Sequence, residues 1–426
     1  MKDSTFDSLY QTYIRPYFED IKDSRRPNIL YSLSDTLSSV FAMFSLKSPS
    51  LLEFEKRNPT EDSNICSVYS IKKIPSDSQV RTILDNVDAD SFKGLFSKLY
   101  THCKNEGILK EYEVFSAYYP VSIDATEFFS SQKRSCPTCL IKEHKNGSVT
   151  CHHSILSAVL VHPDKKEVFP LANESIQQQD GTTKNDCELN GVKRLLDTLI
   201  KEYPNESFLF LKDALYANSP HVELLNSYKM AYIIRAKAGN CKSLFNSFEE
   251  LKATNKVSYK AINEKGEKHQ FYYVNDIKLN KSSDTKCNFL MYQYTDIKGN
   301  KKLFYWITNL KIEDTNVAQL AKVARARWKI ENETFNTLKN QGYRLEHNYG
   351  HGKKNLAENF ANLMFLAFLI DQIQQAVSTI FRTIWTELKT KKKLWGVLRS
   401  VFVWVEIKSM EEAWKVIAQK YQIRIE

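Results

Sequence analysis

Three acidic residues in this chain stand where local structure explains an acid poorly: Asp124 in VSIDATEFF, Asp213 in FLFLKDALYA and Glu331 in ARARWKIENETFNTLK. Asp124 follows an apolar strand start and Asp213 ends another apolar run of strand length, positions where propensity disfavours aspartate. The third stretch is read on a helical wheel at about 100° per residue with Leu320 as the origin. Val323, Ala324, Trp328, Ile330, Phe335 and Leu338 then fall within about 80° of it, and Arg327 and Glu331 within about 20°, in the middle of the apolar face. Glu333 falls near 220°, with Lys329 and Arg325 on the polar side, at roughly the opposite face. Glu331 is therefore expected on the core side and Glu333 on the surface. A charge on a core-facing stripe is costly unless paired, and Arg327, four residues earlier on the same face, offers a partner.

Two aspartates at strand ends and one core-side glutamate make a three-carboxylate constellation. Hard oxygen ligands of this kind suit Mg²⁺ or Mn²⁺, and two such ions roughly 3.5–4 Å apart activate water and stabilise the leaving oxygen in phosphodiester cleavage. The plainer alternatives are an internal Arg327–Glu331 ion pair that orients its helix, and aspartates that serve only as turn or capping residues. A second cluster lies in CPTCLIKEHKNGSVTCHH, residues 136–153, where Cys136, Cys139, His144, Cys151, His152 and His153 offer more than the four ligands of a tetrahedral Zn²⁺ site. Its alternative is a hairpin of reduced thiols and polar side chains.

Asp186 and Glu188 could add a fourth acid to the first site, but helix capping accounts for both. RLEHNYGHGKKNL, residues 344–356, is either a solvated connection or a loop whose backbone and Lys353 or Lys354 contact DNA phosphates. The basic run Lys389, Lys391, Lys392 and Lys393 reads as solvent-exposed charge with the same alternative.

These residues need elements to hold them. Residues 1–115 read as a helical domain: ILYSLSDTLSSVFAMF is apolar at helical spacing, Ser76 and Gln79 form a capping-box start with Val80, Ile83, Leu84 and Val87 on one face, and SFKGLFSKLY follows. Such a bundle either binds DNA or packs on the next domain. From residue 116 three segments rich in β-branched and aromatic residues suggest strands. An amphipathic helix opened by Asn185 follows, then the strand-like runs SFLFLKDALYA and MAYIIRAK. Three strands, a helix, a strand, a helix and a strand is the order of an RNase H-like core, here residues 116–242. Residues 243–312 read as a β-rich insertion with a hairpin turning at Lys298, Gly299 and Asn300, residues 313–375 as the last part of the core, and residues 376–426 as a helical basic tail. The expected fold is thus α/β: a mixed sheet with flanking helices, interrupted by a β-rich insertion, with helical N- and C-terminal regions.

With 426 residues, 42% hydrophobic and 26% charged, the chain can bury two or three substantial cores and is not a disordered tail. Sixty Lys and Arg against 50 Asp and Glu favour a polyanionic partner, nucleic acid first. The N-terminal residues show no secretory signal, and the apolar run LMFLAFLI at 363–370 is far short of the roughly 20 residues of a membrane span. A cytoplasmic location is expected, with the eight cysteines reduced or ligating metal.

Taken together, the motifs resemble those of the DDE transposases of bacterial insertion sequences, in particular the group with a Tyr-Arg-Glu-Lys signature near its last acid. That signature runs Tyr, two residues, Arg, three residues, Glu, six residues, Lys. Here Arg327 and Glu331 keep the interval and RWKIE resembles the Arg-Trp-x-Ile-Glu core. Asp124 and Asp213 match the first and second acids. The tyrosine position is Ala324, and the lysine falls one residue late, at Lys339, because Leu338 takes its place. The resemblance covers roughly residues 116–375. It implies an RNase H-like transposase that binds double-stranded DNA at inverted-repeat ends, hydrolyses phosphodiesters there and joins the ends to target DNA by cut-and-paste. Asp124, Asp213 and Glu331 would hold two Mg²⁺ (or Mn²⁺) ions, Arg327 would orient Glu331 and neutralise a phosphate, Lys339 would contact phosphate, and Trp328 would pack. It further implies a homodimer on DNA, a nucleoid-associated bacterial protein without a membrane segment, and Cys136, Cys139, His144 and His153 as the zinc ligands. Alternatives within reach are a non-catalytic DNA-binding relative and a stand-alone metal-dependent nuclease.

Overall fold

The computed structural model describes residues 4–26, 29–181 and 184–424. Its strands are β1 (Tyr119–Ser131), β2 (Leu140–Glu143), β3 (Val149–Leu160), β4 (Phe169–Ile176), β5 (Phe208–Lys212), β6 (Ala231–Arg235), β7 (Ser258–Glu264), β8 (Glu267–Lys278), β9 (Lys286–Thr295) and β10 (Lys301–Thr308). They form one mixed sheet in the order β2-β3-β1-β5-β6-β10-β9-β8-β7, with β4 also on β3. β1 pairs antiparallel with β3 and parallel with β5, which in turn is parallel to β6. Helix Lys184–Glu202 connects β4 to β5 and helix Ser219–Ser227 connects β5 to β6. This is the mixed α/β, RNase H-like arrangement read from the sequence.

The β-rich stretch is inserted in sequence but not in space. Its last strand, β10, pairs antiparallel with β6, so the inserted strands prolong the sheet of β1, β5 and β6 instead of forming a separate body. The hairpin turn falls where expected: Asp296 accepts the amides of Lys298 and Asn300, and Gly299 takes φ +83°, which costs a residue without Cβ nothing.

The N-terminal helices pack on the rest through helix Leu356–Val377, which meets helix Leu33–Ser45 on one side and β4 on another. The central helix is long and apolar enough to cross a membrane, yet it is mostly buried inside the protein. Its polar residues have protein partners: Asn359 donates to the carbonyls of Leu84 and Val87, Gln372 accepts the Val168 amide, and Gln374 donates to the Ser4 carbonyl. These bonds fix the rotation and register of the helix, since any turn about its axis would bury unpaired amides. Helix Asp77–Leu84 begins at the expected residue, but the Ser76 hydroxyl meets the hydroxyl of Ser78, 3.3 Å away, and no capping-box bond forms. Helix Lys184–Glu202 starts one residue before Asn185, and the side chains of Asn185 and Asp186 lie outside the described residues.

Asp85, at the end of helix Asp77–Leu84, caps a different helix. Its carboxylate accepts the amides of Lys353, Lys354 and Leu356 at 2.9–3.0 Å, at the start of Leu356–Val377. Gly352 makes the approach possible: its φ is +70°, and a Cβ there would lie 2.4 Å from both Asp85 Oδ1 and Leu356 Cβ. Gly352→Ala is therefore expected to destabilise the protein by about 1–3 kcal/mol, read as a lowered urea midpoint.

Candidate active site

The sheet brings the two aspartates side by side. Ser122 of β1 stands opposite Leu211 of β5 in parallel register, so two residues on, Asp124 is level with Asp213. β5 ends at Lys212, and from Asp124 onward β1 has lost its neighbour on that edge. The opening at the carboxyl ends of adjacent parallel strands is where open α/β sheets accept ligands. Asp213 leaves the sheet as the cap of a short 3₁₀ turn, its Oδ1 accepting the Leu215 amide at 2.9 Å. That meets the capping alternative in part, and it uses only one carboxylate oxygen.

Arg327 ties the third acid to the first. Its guanidinium donates to Asp124 Oδ2 at 2.8 Å and to Glu331 Oε1 at 2.7 Å, and the Ser122 hydroxyl donates to its carbonyl at 3.0 Å. Ser122 and Asp124, two apart on a strand, share a face, so one face of β1 holds both backbone and side chain of Arg327. Burial pushes the Asp124 carboxyl up to about 7; Arg327 and the Ala125 amide oppose the rise, while Glu331 and Asp213 add to it. The three acids thus act on one another, with a single guanidinium between them.

The helical-wheel assignment is corrected by the structure. Glu331 is the exposed one, with half of its side-chain surface accessible (52%), and Glu333 is half-buried. Lys329 is buried with its ammonium on the Lys165 carbonyl, and Trp328, expected to pack, is 43% exposed. The cause is a changing helical period. Helix Val317–Arg325 gives way to a 3₁₀ turn at Ala326–Trp328 and then to a π-helical turn at Ile330–Phe335, whose last bond runs from the Asn336 amide to the Glu331 carbonyl. A uniform wheel cannot follow that sequence of turns. Glu331 leaves the core stripe and points into the opening beside Asp124, where it can meet a substrate.

The π turn also bears on the late lysine. In a regular α-helix, eight residues would turn Lys339 about 80° from Glu331 whereas seven would give about 20°. A π turn absorbs one extra residue with little added rotation, so Lys339 returns to nearly the phase that a seven-residue spacing would give. Its ammonium pairs with Glu346 at 3.1 Å. Ala324 is buried in the core.

Behind Asp213 lies a polar layer that sequence reading passed over. Lys212 is buried with its ammonium 3.0 Å from His221 Nε2 and over the Tyr216 ring. Burial brings Lys212 down to about 7 and His221 down to about 2, so the imidazole is neutral. Tyr216 donates to Glu188 Oε1 at 2.9 Å, which places this acid next to the site. The lysine of KDALYA was the only available signal: a charged residue closing an otherwise apolar strand.

In the Cys/His region the structure brings together Cys136, Cys139 and His153, and adds His351 from the loop after the Glu331 helix; the ligand atoms all lie within 4.8 Å of one another. His144 stays apart at the β2–β3 hairpin, bonded to Thr150 at 2.8 Å, because the two-strand pairing carries it away from the CxxC turn. Cys151 and His152 are also outside the group. Lys353 lines a cavity of about 710 Å³ together with Arg81, Arg134 and His351, while Lys354 reaches Asn86. Lys391 approaches the Trp385 ring and Lys393 that of Tyr421.

Residues 168–370 match the family model described as Transposase DDE domain. The match includes Asp213, Arg327 and Glu331 and begins after Asp124. No curated protein matches the chain.

Proposed function

We propose, from a chain that carries a transposase DDE domain over residues 168–370, that the protein is a DNA transposase which binds the inverted-repeat ends of an insertion sequence, cuts them and transfers them to target DNA by cut-and-paste. The observation that carries this reading is the convergence of Asp124, Asp213 and Glu331 at one open edge of the sheet, with Arg327 bonded to two of them. Three carboxylates against one guanidinium leave an excess of negative charge, which adds to the burial that raises Asp124. Asp213 and Glu331 each keep an oxygen outside the bonds described above. The donor set therefore fits hard divalent cations, two Mg²⁺ or Mn²⁺ ions held by Asp124, Asp213 and Glu331. When bound, such ions supply an activated water or 3′-hydroxyl and stabilise the leaving oxygen.

The chain's own residues do the positioning. Arg327, half-enclosed and fixed by Ser122, holds Glu331 toward Asp124 and presents its charge where a scissile phosphate would lie. Lys339, returned to the Glu331 side by the π turn, supplies a second phosphate contact, and Arg81, Arg134 and Lys353 around the neighbouring cavity extend a basic path for the DNA backbone. A homodimer on paired ends and a cytoplasmic, nucleoid-associated location complete the reading. The test is incubation of the full chain with Mg²⁺ and DNA carrying the ends that flank its gene. End-specific cleavage and joining to a second duplex are expected, with binding that weakens steeply as salt rises. Cleavage that ignores the ends and yields no joined product would instead identify a nuclease.

A further inference from the structure

The Cys136, Cys139, His153 and His351 group stands some distance from the carboxylates. Asp124 faces Ser157 across the β1–β3 ladder, and His153 lies four residues further along β3, about 13 Å at strand rise. Its donors come from three places. Cys136 and Cys139 form a tight CxxC turn, with the Cys139 amide donating to the Cys136 carbonyl at 3.2 Å; His153 projects from β3; His351 arrives from a loop almost 200 residues later. Among the described residues this is the group of Cys, His, Asp and Glu side chains so gathered.

We propose that these four residues bind one Zn²⁺ ion that clamps the strand pair carrying Asp124 to the loop following the Glu331 helix. Five of the six ligand-to-ligand distances lie close to the edges of a tetrahedron. Zn–S bonds of about 2.3 Å and Zn–N bonds of about 2.0–2.1 Å put ligand atoms roughly 3.3–3.8 Å apart along its edges. The structure has Cys136 Sγ to Cys139 Sγ 3.3 Å, His153 Nε2 to the two sulfurs 3.5 and 3.6 Å, and His351 Nδ1 to Cys139 Sγ and to His153 Nε2 3.2 Å each. Cys139, His153 and His351 are buried, and Cys136 partly so, which closes the site to a further ligand and makes it structural. Without an ion, two thiols and two imidazoles would face one another, with only the Cys136 amide and the Thr138 hydroxyl, each 3.3 Å from a sulfur, as outside partners. With it, the β1–β3 end, the CxxC turn and the Gly350–Gly352 loop, which Asp85 also anchors, form one rigid unit.

The test measures metal content of the full-length protein, produced with Zn²⁺ in the medium and purified under reducing conditions, with no DNA or Mg²⁺ present, so that it stands or falls separately from the transposase reading. Wild type and His144→Ala are expected to hold about one zinc per chain, and His351→Ala at least tenfold less, with a chelator lowering the melting temperature of the first two only. Should His351→Ala fail to fold, His351→Cys decides: it keeps a ligand, and its Co²⁺-loaded form is expected to absorb more strongly in the thiolate charge-transfer region than Co²⁺-loaded wild type. Zinc-free wild type, zinc retained in full by His351→Ala, unchanged charge-transfer absorption in His351→Cys, or a Cys136–Cys139 disulfide in the purified protein would each overturn the proposal.

Discussion

Glu331→Gln is expected to reduce Mg²⁺-dependent cleavage of end DNA on the order of 10³-fold, while Glu333→Gln stays within a few-fold of wild type. The two residues are two positions apart and both are solvent-accessible, so exposure alone does not separate them. What does is the Arg327 bridge: Glu331 shares its guanidinium with Asp124, and Glu333 does not. Gln keeps the shape of the side chain but replaces an anionic, two-oxygen ligand by one neutral amide oxygen, so the effect isolates the carboxylate's charge. Gel assays of the first strand cut, run beside thermal melts showing both variants folded, give the readout. Equal loss in the two variants, or normal cutting by Glu331→Gln, would remove Glu331 from the proposed triad.

A stability effect of comparable weight is expected at Lys47. Its ammonium is fully buried, contacts Asp371 of the central helix and the Ser45 carbonyl, and lies 3.9 Å from the centre of the Trp395 ring and 4.5 Å from that of Tyr343. Tyr343 also donates to Asp371. One side chain therefore joins the N-terminal helices, the loop after the Glu331 helix, the central helix and helix Lys391–Trp404. Lys47→Met leaves Asp371 buried beside Tyr343 without its counter-charge and is expected to cost about 3–5 kcal/mol in denaturant unfolding. Replacing both partners, Lys47→Met with Asp371→Leu, should recover much of that loss, because no stranded charge remains. If the double variant is no more stable than the single one, packing around the lysine stem and not the ion pair holds these helices together.

Much of the site was written in local sequence. Apolar, β-branched runs marked the strands, the acids stood out because they closed those runs, and the four-residue interval from Arg327 to Glu331 is a helical contact that needs no tertiary information. The order of strands and helices followed from the same patterns, except for β2, a short and mostly exposed strand with no apolar run to mark it. The side of the helix on which Glu331 lies did not, because a wheel presumes one period and this segment passes through 3₁₀ and π turns that are fixed by what it packs on. For the same reason the late position of Lys339 could not be weighed from spacing.

Other features were decided only when the chain closed on itself. His351 and the CxxC turn have no signal in common along the sequence; it is the loop held by Asp85 and Gly352 that brings the imidazole to Cys139, while the hairpin pairing removes His144. The β-rich insertion looked separate because its strands are contiguous in the chain, and it joins the core sheet because β6 offers β10 a free edge that would otherwise stay unpaired. Sequence alone determined which residues could carry charge, coordinate metal or form each strand, since those are properties of side chains and their near neighbours. The tertiary structure decided which of them meet, since that depends on partners hundreds of residues away and on helix geometry that packing imposes.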